Sequence, residues 1–103
     1  MVQAVVGFKR AVQTLKGALS GAIQGGAGPV YKHPRKIFFG MTPALLLEIV
    51  SAGRVNDFWE EALDQAPSIP VFILQPVHLE VRYYVKWYFL DDQLFVLSAH
   101  LSE

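Results

Sequence analysis

The chain of 103 residues contains no cysteine, which excludes both a disulfide framework and a thiolate-ligated zinc site. Charge is scarce as well: 17% of residues are Asp, Glu, Lys or Arg, where roughly 25% is usual for a soluble domain. Nine basic and nine acidic residues cancel, which argues against a nucleic-acid binder working by bulk electrostatics. No apolar run reaches the about 20 residues that a membrane-spanning helix needs. The longest, from Ile37 to Gly53, is seventeen residues and holds a proline and Glu48.

Catalytic signatures are missing too. Ser20, Ser51, Ser68, Ser98 and Ser102 stand outside any Gly-x-Ser-x-Gly turn. His33, His78 and His100 have no metal-ligand spacing. Gly25, Gly26 and Gly28 lack the strand before and the Gly-Lys-Ser/Thr after that make a phosphate loop. The expectation is a non-catalytic chain with no metal and no cofactor.

What is present is apolarity and an uneven charge. Hydrophobic residues make up 52% of the chain, and a domain near this size hides only roughly two thirds of its surface. Residues 1–47 carry Lys9, Arg10, Lys16, Lys32, Arg35 and Lys36 and no acid, a balance of +6; residues 48–103 carry nine acids against Arg54, Arg82 and Lys86, a balance of −6. A basic first half suits anionic lipid, cardiolipin included, or an acidic protein surface.

One small α+β domain over 1–103 fits the pattern of elements. Residues 1–24 read as a basic amphipathic helix: Ala4, Val5, Phe8, Ala11, Val12, Leu15, Leu19, Ala22 and Ile23 fall on one side, with Lys9, Arg10, Gln13, Lys16, Ser20 and Gln24 opposite. Such a segment is similar in kind to a mitochondrial targeting sequence. The series Gly17, Gly21 and Gly25 permits close helix packing in a membrane. Residues 25–36 form a glycine-rich basic connector.

Residues 37–65 are expected to hold a long apolar helix, opened by Thr42 as N-cap and Pro43 at the first helical position. Its first part is apolar in nearly every direction, which predicts burial on all sides and makes Glu48 a candidate buried carboxylate. Its second part, from Val55, sets Phe58 and Trp59 on one side as interface anchors.

Residues 69–101 carry the β-region, an antiparallel hairpin or three-stranded meander. Val71–Leu74 is an edge or irregular strand between prolines. Val77 to Phe89 alternates strictly with a two-residue period. A three-residue loop, Asp91-Asp92-Gln93, sets Phe89 against Phe95, Trp87 against Leu97, Val85 against Ala99 and Tyr83 against Leu101, all on one face. Tyr84, Lys86, Tyr88 and Arg82 share a face that would suit RNA stacking, but a solvated or partner-facing strand explains them equally, and nucleic acid is not expected.

The leading functional expectation is an accessory subunit of a larger membrane-associated assembly, such as a mitochondrial respiratory or ATP synthase complex, at the inner membrane or its surface. Lys9, Arg10, Lys16, Lys32, Arg35 and Lys36 would contact lipid headgroups or other protein subunits. The alternatives are a cytoplasmic α+β homodimeric binding module and a small enzyme with a pocket between helix and sheet.

Overall fold

The computed structural model describes the backbone of residues 2–102 and the side chains of residues 7–102. Helix α1 (Val2–Ile23) opens the chain, followed by β1 (Val30–Tyr31), α2 (Pro43–Ser51), β2 (Phe58–Leu63), β3 (Ala66–Leu74), β4 (Val77–His78), β5 (Val81–Leu90) and β6 (Gln93–Leu101). The strands order as β1-β6-β5-β3-β2, with β4 paired to the start of β5. All neighbours are antiparallel except β1, which runs parallel to β6.

Helix α1 forms because its apolar stripe has a sheet to lie on. Ala11, Val12, Leu15 and Leu19 are buried against Leu46, Ile49 and Val50 of α2 and Leu74, Val85, Trp87, Leu94, Val96 and Ala99 of the strands. Ala4 and Val5, expected on the same stripe, lie outside the described side chains. The helix ends in a Schellman motif: the Gly26 N–H donates to the Gly21 carbonyl at 2.8 Å and the Gly25 N–H to the Ala22 carbonyl at 3.1 Å. Gly25 takes φ of 98° there, in the left-handed region that suits glycine.

The connector is an interrupted edge strand. Val30 and Tyr31 pair with Phe95 and Val96, a single 3₁₀ turn covers Pro34–Lys36, and Ile37 rejoins β6 beside Ala99.

The long apolar helix over 37–65 does not exist. Helix α2 starts at Pro43, with the Thr42 hydroxyl accepting from the Leu45 N–H at 3.1 Å, but it stops at Ser51. Beyond Gly53 a 3₁₀ turn leads into β2, so Phe58 and Trp59 stand on a strand. A Cβ on Gly53 would meet the Leu74 side chain at 2.5 Å, so β3 packs directly over the end of the helix. The pairing of Phe58–Leu63 with β3 overrides the helical spacing of the same residues. Among the described residues no helix is long and apolar enough to cross a membrane.

A hairpin or three-stranded meander is likewise too small a description of the sheet. β3 lies inside it, between β2 and β5. The prolines are tolerated because only Phe72–Leu74 pair with β5, leaving Pro67 and Pro70 beyond that ladder.

The β5–β6 register combines two alternatives. A two-residue loop, Asp91-Asp92, has positive φ at both positions and sets Phe89 against Leu94 and Trp87 against Val96. A bulge at Leu97 then adds one residue to β6, so Lys86 opposes Ser98, Val85 opposes Ala99 and Tyr83 opposes Leu101. Val85, Trp87, Leu94, Val96 and Ala99 all stay on the helix side, and Leu97 and Ser98 both line a cleft with Lys86 on the other face.

Candidate interaction surface

The sheet has one end where β5 begins and β6 stops. The β4–β5 hairpin projects from it, and the turn Phe38–Met41 lies beside it, since the Phe38 N–H donates to the Ala99 carbonyl and the Met41 N–H closes on the Phe38 carbonyl at 2.9 Å. Six of the ten exposed large apolar side chains among the described residues gather here: Phe38, Phe39, Val77, Leu79, Val81 and Leu101. Scattered apolar exposure is ordinary, and concentration at one end makes this a candidate contact surface.

Two of these residues are exposed far beyond what the fold requires. Phe39 is 96% exposed. Leu79 is 82% exposed and sits, with Glu80, in a two-residue hairpin loop at φ of 51° and 68°. That conformation favours Asn, Asp or Gly and costs a bulky residue about 1–2 kcal/mol. At the other end of β5 the same conformation is met by Asp91 and Asp92.

The surroundings are held firmly. Arg82 donates to the Gln75 carbonyl at 2.7 Å and to Asp57 Oδ1 at 3.3 Å, and the Tyr83 N–H donates to the Pro76 carbonyl. His100 stacks on Tyr84 with ring centres 5.5 Å apart, and its Nδ1 lies 2.8 Å from the Leu101 carbonyl. Arg35, Lys36, Phe38, His100 and Leu101 line a shallow depression. Neither Arg35 nor Lys36 has an ion pair among the described residues.

The sequence-predicted contacts are not brought together. Lys9, Arg10 and Lys16 ride on α1, whose apolar stripe packs on one face of the sheet, while Lys32 and Lys36 line a cleft on the opposite face and Arg35 borders the apolar end. Phe58 points inward, edge-on to Phe8 at 5.6 Å and stacked on Phe72 at 6.1 Å, so it is a core residue rather than an anchor. Trp59 is partly exposed on the helix-free face, its Nε1–H donating to Glu61 Oε2 at 3.3 Å.

Glu48 is not a buried carboxylate. Its side chain is 66% exposed, with Oε1 3.9 Å from His78 Nε2. The reason lies in α2, where Leu46, Ile49 and Val50 are buried while Ala44, Glu48 and Ser51 form an exposed stripe at helical spacing. Of the two edges of the sheet, β2 carries Glu60 and Glu61, which oppose addition of a second copy of the same strand.

Sequence reasoning missed the apolar end. Its one signal was Leu79-Glu80 interrupting an alternating run, readable as a turn only by breaking that alternation. Protein-family models, curated proteins and solved structures all yield no match to this chain.

Proposed function

We propose that this chain is a non-catalytic subunit of a larger assembly, docked on a partner protein through the apolar end formed by Phe38, Phe39, Val77, Leu79, Val81 and Leu101. The observation that carries the reading is Leu79. A leucine in a left-handed turn position weakens the hairpin, and at 82% exposure it buries little against the described residues, which supports a use outside the chain. Arg35 and Lys36 beside this patch, which have no ion pair among the described residues, suit carboxylates on the partner around a hydrophobic centre.

Protein fits better than lipid as the occupant. The apolar stripe of α1, which would have to face the bilayer if the helix lay on a membrane, is covered by the chain's own sheet. A self-associating module is the rival, and Glu60 and Glu61 disfavour it at the β2 edge.

The test compares two samples. The purified chain alone is expected to sediment as a monomer. At endogenous level in mild detergent it is expected to co-purify in a stoichiometric complex that Leu79→Asn and Phe39→Ser each disrupt. A stable homodimer of the purified chain, or a complex indifferent to both substitutions, would reject the reading.

A further inference from the structure

The face of the sheet turned away from the helices carries a second feature, which shares only Lys36 with the border of the apolar end. A half-open cleft of about 410 Å³ is lined by Lys32, Lys36, Asp64, Lys86, Tyr88 and Ser98, among others. That volume lies within the range of small-molecule sites, roughly 300–1,000 Å³.

Its construction follows from two interruptions in the strands. The bulge on β6 puts Ser98 in the floor next to Leu97 and opposite Lys86. A second register shift, at Ala62/Leu63, accompanies the Asp64-Gln65 turn that makes one wall. The interrupted edge strand brings Lys32, His33 and Lys36 to the other wall. Bulges are common beside functional sites because they re-aim side chains.

Two hydroxyls in this cleft are idle. Ser98 is 4% exposed and Tyr88 5% exposed, yet neither hydroxyl has a hydrogen-bond partner among the described residues. Neither oxygen is sealed from solvent, since the only sealed and unpartnered side-chain nitrogen or oxygen among the described residues is Trp87 Nε1. Both oxygens are therefore open to water, whose place a ligand oxygen can take. Lys32, Lys36 and Lys86 stand against Asp64 in the lining and against Glu61, the ion-pair partner of Lys86, which leaves one net positive charge. Lys86 is held in place by Glu61 at 3.7 Å, and Lys32 lies over the Phe95 ring at 5.6 Å.

We infer that this cleft binds a small phosphate monoester. Two hydroxyl donors and ammonium groups on both sides suit the oxygens of a phosphate monoester, which carries about −1.5 to −2 at neutral pH. Asp64 and Gln65 on the remaining wall accept from and donate to hydroxyls of the esterified alcohol. The inference goes beyond the docking role and does not depend on it.

Amide-detected NMR titration of the full chain tests it, with glycerol 3-phosphate, inorganic phosphate and glycerol as separate probes. Glycerol 3-phosphate is expected to give saturable shifts confined to residues 32–36, 62–65, 86–88 and 97–98. Inorganic phosphate should bind there more weakly and glycerol not at all. Ser98→Ala and Lys36→Gln should each weaken the ester by about tenfold; the first is nearly isosteric and the second lies on an exposed turn, so the unliganded spectrum reports whether each folds. The absence of saturable shifts would overturn the inference. So would inorganic phosphate binding as tightly as the ester, or binding undiminished in both folded variants.

Discussion

Leu79 is the residue on which stability and the proposed docking pull in opposite directions. Asn in its place accepts the left-handed conformation, so Leu79→Asn should raise the unfolding free energy by about 1 kcal/mol, seen as a higher urea midpoint at unchanged slope. A substitution that strengthens the isolated chain while weakening its complex separates a docking residue from a structural one. Gly53 makes the converse case. An alanine Cβ there would collide with Leu74, and Gly53→Ala should cost about 1–3 kcal/mol by the same measurement. Tyr31 adds a pH dependence. Burial against the core lifts its phenol above the ordinary 10.0, so the folded chain keeps a proton that the unfolded chain loses. Stability therefore falls as pH rises through about 10, and Tyr31→Phe should make that alkaline decline shallower in urea unfolding followed against pH.

Among the elements, β6 carries the sharpest expectation. A one-residue deletion within a strand normally turns every following side chain to the wrong face. Deleting Leu97 removes only the bulge: Lys86 still meets Ser98, Val85 still meets Ala99, and no core residue changes side. The deletion should fold with a cooperative thermal transition and native near-UV circular dichroism. Deleting Lys86 from the unbulged β5 should not, because Val85 or Trp87 must then leave the core. The hairpin shows why sequence was only partly informative. Alternation in β5 and β6 located both strands, and apolar matching favoured the pairs beyond the bulge, Val85 with Ala99 and Tyr83 with Leu101. The two-residue Asp91-Asp92 turn demands the other register near the loop, and a bulge has no local signature by which to reconcile them. Over Phe58–Leu63 the difficulty is different. The apolar residues fit a helix and a strand alike, and Gly53 was the one stop signal; what decides the conformation is β3, arriving later in the chain. The candidate surface was less legible still, because exposure of Phe39 and Leu79 depends on how distant segments converge.

For the molecule as a whole, the canceling charge and the apolar excess acquire separate explanations. The basic first half divides between the outer surface of α1 and the segment beside β6, and acids of the second half occupy the free edge of β2 and the hairpin turns. Much of the apolar content forms the helix-covered core, and Val71, Ile73 and Tyr88 are buried as well. The surplus collects at the end where β5 begins and β6 stops. A surplus placed so unevenly is the reason to treat the chain as one part of something larger. The mass of the native species measures this most directly, compared between the wild-type chain and Leu79→Asn at endogenous level in mild detergent. The wild-type complex is expected well above the 11.5 kDa of the chain, with the folded variant released to that mass. A wild-type chain that migrates free at 11.5 kDa, or a variant that stays in the complex, would contradict it.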